Sequence, residues 1–346
     1  MSTNKVVITE AVNQQLLCTL QELKFTKLAV LVDENTLINC YPLIKESLPD
    51  HCIIEIKSGE KFKTIETCNH IWGRLTDEAF DRKSLMLNLG GGVIGDMGGF
   101  AARTFKRGIK FINIPTTLLA QVDASIGGKL GIDFEGLKNH IGLFSDPDKV
   151  IIDPIFLESL PHEELISGFA EVIKHNLIAD ESHWEELKTQ KLSDLNWLDV
   201  IKHSVAIKSR VVASDPFETG NRKTLNFGHT IGHAVESFKM IINKRILHGE
   251  AVALGMISES YLSYKKGLLS SKELKSIENY IDSVFTRIKI EPKEINKILD
   301  LMGQDKKNRG NRILAALLEK IGSAKWDVEL TRDEVRSSLL YYSSYT

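Results

Sequence analysis

Residue types that bind metal ions are concentrated in three short segments of the second half of the chain: residues 169–175 (FAEVIKH), 225–233 (LNFGHTIGH) and 248–252 (HGEAV). His229 and His233 are four residues apart, so one face of a helix presents both imidazoles. Imidazoles combined with a carboxylate and one open position are typical of catalytic zinc sites. We predict a metal site with His229 and His233 as the simplest pair, completed by His248 and Glu171. These spacings leave open which histidines coordinate.

A glycine-rich turn in the first half has the composition of a phosphate-binding loop. Residues 90–99 read GGGVIGDMGG, follow an apolar run and precede a helix predicted over residues 97–104. Gly90, Gly92 and Gly95 match the G-x-G-x-x-G pattern in its strand–turn–helix context. Glycines allow a sharp turn and let main-chain N–H groups approach a pyrophosphate closely. We therefore predict a nucleotide site at this turn.

Polar residues elsewhere in the first half modify this prediction. A standard dinucleotide fold places a ribose-binding acid about 20 residues later, near Thr116 and Thr117, which are not acidic. A variant nucleotide site fits better, and Asp33 and Asn35 at the end of the first predicted strand are the other source of a ribose contact. Positive charge and hydrogen-bond donors for a phosphate follow at Lys129, Lys138 and Asn139.

Further cations lie in the second half of the chain. Lys174 is one helical turn from Glu171, and more positive charge follows at Lys208, Arg222, Lys306 and Lys307. In a cleft, such groups hold a carboxylate and a phosphate, and arginine can make a bidentate contact. On the surface they would contribute little. The sequence alone does not place them in one cleft.

Short apolar runs alternate with helical patterns before residue 155. The predicted strands are residues 27–33, 52–56, 84–89, 111–114 and 150–152, and a helix is predicted over residues 65–77. This alternation indicates an α/β domain with a parallel sheet. Helical periodicity dominates afterwards, over residues 157–188, 197–213, 232–244, 249–266 and 271–288. We predict two domains: an α/β nucleotide-binding domain, 1–155, and a mostly α-helical domain, 156–346, that binds metal and substrate.

Composition excludes several classes of protein. The 346 residues carry a formal net charge of −2 with no basic block, which argues against nucleic-acid binding. No apolar run reaches membrane-spanning length, and the N-terminal residues MSTNKVVITE are too polar for a signal peptide. The cysteines lie at wide spacings, at Cys18, Cys40, Cys52 and Cys68. Structural thiols in a reducing compartment fit this pattern, so we expect a cytoplasmic protein.

Several long motifs together resemble one known family. They are GGGVIGDMGGF, PTTLLAQVDASIGGKLGID, KNHIG, AEVIKH, LNFGHTIGHAVE and HGEAVALGM. Their order and joint specificity resemble 3-dehydroquinate synthases, within the sugar-phosphate cyclase superfamily, over nearly the whole chain. The resemblance implies a dehydroquinate synthase-like fold and a carbon–oxygen, phosphate-eliminating lyase of the shikimate pathway, which leads to chorismate and the aromatic amino acids.

The resemblance implies a particular reaction and its cofactors. The substrate would be 3-deoxy-D-arabino-heptulosonate 7-phosphate, and the products 3-dehydroquinate and phosphate. The steps would be transient oxidation of the C5 hydroxyl by NAD, β-elimination of phosphate, re-reduction, ring opening and intramolecular aldol closure. One divalent metal, Zn or Co, would polarise the C4 and C5 oxygens, and cations would hold the phosphate as charge develops on it.

Site residues are carried over from the family position by position. The metal ligands would be Glu171, His229 and His248, with His233 near the substrate phosphate instead. The NAD contacts would be Asp33, Asn35, Glu60, Lys63, Gly91, Gly92, Val93, Asp96, Thr116, Thr117, Lys138, Phe156, Ser159 and Glu164. Substrate would meet Asp123, Lys129, Asn139, Lys174, Lys208, Arg222 and Asn226. Lys129 and Asn139 would lie on the phosphate side, and Lys208 and Arg222 nearer the carboxylate.

Two further expectations concern assembly and closure. Arg107 would reach the phosphate in a neighbouring subunit, which implies a homodimer. Lys306 or Lys307 would close over the carboxylate; we take Lys307 as the candidate. The connection between His233 and His248 is longer than the family's usual one and would either move His248 or only enlarge a loop.

Other functions compete with this one. A related cyclase making an inosose or a valiolone would lack the residues that bind a carboxylate. A metal-dependent alcohol or glycerol-type dehydrogenase would lack the phosphate-binding residues and release NADH. A degenerate structural subunit would have lost ligands, yet Glu171, His229 and His248 are all present.

Overall fold

The computed structural model describes residues 5–135, 137–303 and 312–344. The chain forms two compact units. The first unit comprises the described residues of Met1–Leu165 together with Trp197–Ser209, and the second unit those of Ile166–Asn196 and Arg210–Thr346. Compact units are not the same as functional domains, so the division at residue 155 stays a prediction.

A six-stranded parallel sheet forms the centre of the described first unit, in the order β1-β8-β5-β4-β2-β3. The strands are β1 (Val6–Ile8), β2 (Leu28–Asp33), β3 (Cys52–Ile56), β4 (Leu85–Gly90), β5 (Lys110–Pro115) and β8 (Lys149–Ile152). The helices before residue 155 are α1 (Val12–Leu23), α2 (Glu34–Asn39), α3 (Ile65–Asp77) and α4 (Gly92–Thr104). The inner strands are apolar without alternation because hydrophobic clusters cover both faces of the sheet. The parallel α/β prediction is confirmed.

Helix α4 begins earlier than its sequence pattern indicates. The prediction started it at Met97, but the helix begins at Gly92, with Gly91 as its N-cap. Four glycines lie within α4, and glycine lowers helix propensity in any sequence-based estimate. Packing overrides that preference, because a Cβ on Gly98 would lie 2.1 Å from the Asn88 side chain on β4. The glycine-rich segment is therefore the first turns of a helix that lies close against the sheet.

An antiparallel ribbon that no sequence pattern predicts follows the fifth sheet strand in the chain. It comprises β6 (Lys129–Phe134) and β7 (Leu137–Phe144). Gly131 and Gly142 face each other across the pair, and a Cβ on either would lie within 2.9 Å of a carbonyl oxygen of the opposite strand. Glycine at both positions therefore allows the two backbones to approach closely.

The second unit is mostly helical, as predicted. From residue 155 onward the helices are α5 (His162–Ala179), α6 (Glu181–Leu187), α7 (Trp197–Ser214), α8 (His229–Ile241), α9 (His248–Lys265), α10 (Ser271–Val284), α11 (Pro292–Gly303) and α12 (Arg332–Ser343). A hairpin of β9 (Ile313–Lys320) and β10 (Ser323–Leu330), for which we predicted no element, packs against α9. Among the described residues, no helix is both long and apolar enough to cross a membrane.

Candidate active site

Three helices bring the predicted metal ligands together in the second unit. Glu171 lies on α5, while His229 and His248 are the first residues of α8 and α9. The Nε2 atoms of His229 and His248 lie 3.5 Å and 3.7 Å from Oε1 of Glu171. Glu171 is fully buried, so its carboxylate faces the two imidazoles away from bulk water. Residues far apart in sequence thus converge on one small volume.

This cluster fits a single divalent metal ion. Ligand nitrogens of His229, His233 and His248 all lie within 4.8 Å of one another. Two imidazoles and one carboxylate form the ligand set of many catalytic zinc sites. The geometry accommodates Glu171 with His229 and His248, and it also keeps His233 within reach. The assignment of ligands within this group of four therefore stays a prediction.

Burial and nearby charges shift the pKa values of the two predicted ligand histidines in opposite directions. Burial, with a contribution from Lys174, lowers the pKa of His229 well below its usual value, so its imidazole is neutral. Burial would also lower the pKa of His248, but the carboxylates of Glu171 and Glu236 outweigh it and raise this pKa to about 9. Lys174 forms a buried ion pair with Glu171. The site thus places a lysine ammonium directly beside the predicted metal carboxylate.

Glycines allow the two histidine-bearing helices to lie against each other. Gly228, the residue before α8, has φ +80°, a left-handed conformation that favours glycine. A Cβ on Gly232 would lie 2.6 Å from the carbonyl oxygen of Ala251 on α9. The GHTIGH pattern therefore combines two features, because its histidines lie in the predicted metal cluster and Gly232 permits the contact between helices.

The connection between α8 and α9 leaves His248 beside His229. Helix α8 continues to Ile241, so the first part of the connection is helical. Asn243 then takes a left-handed conformation, φ +57°, and α9 begins at His248. The imidazole centroids of His229 and His248 are 5.4 Å apart. His248 therefore lies at the start of α9 within the cluster of predicted ligands.

A loop organised by one carboxylate presents the predicted carboxylate-binding residues. Asp215 accepts hydrogen bonds from the backbone N–H groups of Thr219 at 3.0 Å, Gly220 at 2.7 Å and Arg222 at 3.1 Å. Burial opposes ionisation, but these N–H groups outweigh it and lower the pKa of Asp215 to about 2. The side chain of Arg222 is buried, and its Nη1 donates to the carbonyl of Pro216 at 2.7 Å. The loop thus fixes the backbone of Arg222.

Asn226 lies at the end of the same segment, three residues before His229. It belongs to a 3₁₀ helix, Asn221–Asn226, that leads into α8. Its amide Nδ2 donates to Oε1 of Glu218 at 2.8 Å. Glu218 adopts a left-handed conformation, φ +59°. Sequence reasoning missed Glu218, although an acidic residue four positions before Arg222 is a detectable signal.

Residues of the first unit that are predicted to bind the nucleotide lie at the carboxyl ends of neighbouring strands. Gly90 on β4 pairs in register with Pro115 on β5, which places the glycine turn beside Thr116 and Thr117. A Cβ on Gly91 would lie 3.0 Å from Cγ2 of Thr117, so this approach requires glycine. The free N–H groups at the start of α4 lie at this edge, where open α/β sheets bind ligands.

Lys63 connects three of the predicted ligand contacts in the first unit. Its Nζ donates to Oδ2 of Asp96 and to Oδ1 of Asn139, both at 2.6 Å. Burial lowers the pKa of Lys63, but the carboxylates of Asp96 and Glu60 outweigh it and raise that pKa. Lys63 is therefore a charged group held beneath α4, beside residues assigned to both NAD and substrate phosphate.

Other residues that are predicted to contact ligands form hydrogen bonds within the first unit. Nζ of Lys208 lies 2.5 Å from Oδ1 of Asp123 and donates to its carbonyl oxygen at 2.6 Å. Asp33 caps α2 by accepting from the backbone N–H groups of Asn35 and Thr36. Cys40 is buried near Thr116 and Ser159, and burial raises the pKa of its thiol to about 11. An inert thiol agrees with the structural role predicted for this cysteine.

Several other predicted residues are more exposed to solvent. Exposed positions are occupied by Asn35, Arg107, Lys129, Lys138 and Ser159. Val93 and Glu164 are half-buried and Phe156 is buried, with no geometry that assigns them a ligand. Lys306 and Lys307 lie outside the described residues, so the choice between them stays a prediction.

Sequence reasoning missed one acidic neighbour of the cluster. Oε2 of Glu236 lies 3.7 Å from Nδ1 of His248, on the side of the ring away from Glu171. A carboxylate at the second ring nitrogen is the common partner of a metal-binding histidine. Glu236 follows His229 by two helical turns, so the helical face that carries the histidine also carries this acid.

A parallel sheet with a glycine-rich edge and a helical unit with a buried histidine–carboxylate cluster define a class of two-part nucleotide- and metal-binding enzymes. The family models for the N-terminal and C-terminal parts of 3-dehydroquinate synthase match residues 53–167 and 168–308. The chain belongs to the 3-dehydroquinate synthase family.

Relatives are similar over most or all of the chain. The 3-dehydroquinate synthase of Parabacteroides distasonis is 41% identical over 99% of this chain and 98% of its own. The 3-dehydroquinate synthase of a Sulfurovum species is 42% identical over 83% of this chain and 82% of its own. Among solved structures, 2-epi-5-epi-valiolone synthase from Streptomyces hygroscopicus subsp. jinggangensis, with NAD+ and Zn2+ bound, is 25% identical with a TM-score of 0.85, covering 99% of this chain and 97% of that one.

Proposed function

We propose that this chain catalyses the 3-dehydroquinate synthase reaction, the conversion of 3-deoxy-D-arabino-heptulosonate 7-phosphate into 3-dehydroquinate and phosphate. The proposal rests on one observation in a member of this family. The buried carboxylate of Glu171 lies beside His229 and His248 and pairs with Lys174. Buried ionisable groups reduce the stability of the fold unless they are compensated, and this cost favours a chemical role for such a cluster. The proposal makes the chain a phosphate-eliminating lyase of the shikimate pathway.

Glu171, His229 and His248 would hold one divalent ion, Zn or Co, and the glycine edge of the first unit would hold NAD. When bound, these groups would supply a Lewis acid for the substrate oxygens and a hydride acceptor that returns the hydride within one turnover. The low pKa of His229 keeps its imidazole available as a ligand at neutral pH. Lys174 balances the buried negative charge of Glu171.

The remaining residues bind and orient the substrate. Lys129 and Asn139 would meet the phosphate, where cationic and polar donors stabilise charge that develops on departure. Arg222 and Lys208 would hold the carboxylate, and the fixed backbone of Arg222 favours a single orientation of its side chain. His233, which is exposed on the same face of α8 as His229, would lie near the substrate phosphate. Asp123 and Asn226 would contact the substrate hydroxyls.

NAD would be contacted by the residues that the family resemblance assigns to it. Asp33 and Asn35 lie at the end of β2, and Lys63 and Asp96 form the ion pair beneath α4. Thr116 and Thr117 face the glycine turn. We further propose a cytoplasmic homodimer in which Arg107 reaches the phosphate of the neighbouring subunit; the exposure of Arg107 is compatible with that role.

A related cyclase reaction is the second candidate, because the valiolone synthase has the same fold at 25% identity. Its class of substrate lacks the carboxylate that Arg222 would bind. The buried Arg222, together with Lys208 and Asn226, therefore favours a carboxylate-bearing substrate.

Phosphate release from 3-deoxy-D-arabino-heptulosonate 7-phosphate, followed together with NADH absorbance, tests the proposal. Release should require NAD, stop with a chelator and leave no net NADH. A folded, metal-loaded protein that releases no phosphate from this substrate would move the assignment to another sugar phosphate. Accumulating NADH would indicate a simple dehydrogenase.

A further inference from the structure

Glu259 is a fully buried carboxyl group on α9, and the proposed reaction assigns it no role. Its relative exposure is 0%. Its Oε2 accepts a hydrogen bond from the backbone N–H of Gly228 at 2.6 Å, and its Oε1 accepts one from the backbone N–H of Ile231 at 3.1 Å. Both donors lie at the start of α8, where backbone N–H groups lack partners within the helix. Glu259 therefore closes the N-terminus of the helix that begins with His229.

The position of this carboxyl group links the two histidine-bearing helices. Its two donors flank His229, one immediately before it and one two residues after it. Glu259 itself lies about three turns along the helix that begins with His248. A shift of the carboxyl group would move the backbone that carries the His229 imidazole relative to His248.

We propose that Glu259 is a positioning residue for the metal site, holding His229 at the separation from His248 that two ligands of one ion require. The proposal rests on the metal site of the proposed function. Glu259 acts through the backbone of residues 228–231 and is not itself a ligand. Groups that orient metal ligands in this way affect metal affinity although they do not touch the ion.

The two hydrogen bonds suggest a substitution that changes the acceptor atoms of the Glu259 side chain but keeps its volume. A carboxylate accepts at both oxygens, and a carboxyl group that carries a proton keeps acceptor lone pairs on both. A carboxamide accepts at only one and directs an NH2 group at the other donor. E259Q therefore keeps the volume of the side chain but leaves one backbone N–H of the α8 terminus unsatisfied.

The same change at another buried carboxyl group provides the control. Glu278 on α10 is 2% exposed, and its Oε2 accepts from Nζ of Lys275 at 2.8 Å. E278Q alters a buried carboxyl group in the second unit without touching the turn that precedes His229. Both variants should lose some thermal stability, and only E259Q should change the metal site.

The experiment measures metal affinity by chelator competition and the visible absorption spectrum of the Co2+-loaded full chain. E259Q should bind Zn2+ and Co2+ about 10- to 100-fold more weakly than the starting protein, with an altered Co2+ spectrum and unchanged NAD affinity. E278Q should match the starting protein in both measurements. Equal metal affinity and an identical spectrum in E259Q would overturn the inference, whatever its stability.

E259D keeps the experiment decisive if E259Q does not fold. The shorter side chain retains both accepting oxygens but cannot reach both donors without moving α8. An altered Co2+ spectrum supports the inference, and an unaltered spectrum with unaltered affinity contradicts it. Failure of the starting protein to bind any divalent metal would instead contradict the proposed function, so the two failures are distinguishable.

Discussion

Gly255 on α9 lies directly against Gly228, so that a β-carbon on Gly255 would fall 1.8 Å from the carbonyl oxygen of Gly228. This contact brings the backbone of α9 to the turn that precedes His229. The separation of the helices that carry His229 and His248 is therefore set by backbone contact, which is stiffer than contact through long side chains.

Substitution of this glycine should disturb both stability and metal binding. G255A should reduce the free energy of unfolding by about 1–3 kcal/mol, because overpacking displaces backbone, and should weaken Zn2+ binding. Urea denaturation and chelator competition measure the two effects. G73A is the matched control: Gly73 lies within α3 with nothing within 4 Å of a new Cβ, so the change should be stabilising by roughly 0.5–1 kcal/mol. A G255A variant with normal metal affinity would contradict the expected coupling.

A histidine scan distinguishes the ligand sets that the geometry permits. H229A and H248A should abolish stoichiometric Zn2+ binding, because each removes a ring whose nitrogen faces Glu171. H233A should retain the metal and lose phosphate release, since the proposed role of His233 is at the substrate phosphate. Metal content after dialysis and phosphate release in parallel give the result. Loss of metal in H233A together with retention in H248A would reverse the ligand assignment.

Arg222 should govern binding of the substrate carboxylate. R222A should raise KM for the substrate by roughly 10- to 100-fold, the effect of losing one charge-assisted hydrogen bond, and leave the NAD dissociation constant unchanged. K223A is the neighbouring control, because Lys223 pairs with Asp327 at a partly exposed position. Steady-state kinetics and NAD titration measure both constants. Equal weakening of NAD and substrate in R222A would show that its role is structural.

Removing the Asp96 carboxylate from α4 should lower both the stability of the protein and its affinity for NAD. D96A leaves the Lys63 ammonium buried without its paired carboxylate, and an uncompensated buried charge costs about 3–5 kcal/mol. NAD should also bind more weakly, because Asp96 belongs to the glycine-rich helix. E78A, which breaks a partly exposed ion pair with Arg74 on α3, should change stability by less than about 1 kcal/mol. A D96A protein with the stability of E78A would contradict the buried-pair interpretation.

Glu259 should make the metal-free protein less stable as pH rises. Burial raises its pKa to about 8 in the folded state, whereas an unfolded glutamate titrates near about 4.3. The folded state therefore binds the proton more tightly, and this contribution is complete below about pH 4.3 and lost as pH rises through about 8. The unfolding free energy of the starting protein minus that of E259Q should fall by a few kcal/mol between pH 5 and pH 8. Urea denaturation at both values checks this, and a difference that is constant with pH would contradict it.

The sequence by itself determined much of the architecture and the inventory of reactive groups. Apolar runs predicted the sheet strands β2, β3, β4, β5 and β8, and α3 occupies the residues predicted for it, Ile65–Asp77. The spacing of His229 and His233 and the glycine motif at residues 90–99 indicated metal and nucleotide chemistry. These signals are local: they depend on periodicity, turn residues and helical faces, which neighbouring residues define.

Tertiary structure decided the features that depend on approach between distant segments. The contact of Glu171 with His229 and His248, the capping of α8 by Glu259 and the pairing of Lys63 with Asp96 and Asn139 join residues from different elements. The ribbon of β6 and β7 and the early start of α4 also follow from packing, where glycines permit contacts that their low propensity does not predict. Periodicity identifies which face of an element is apolar, but only the folded chain determines which other element covers that face.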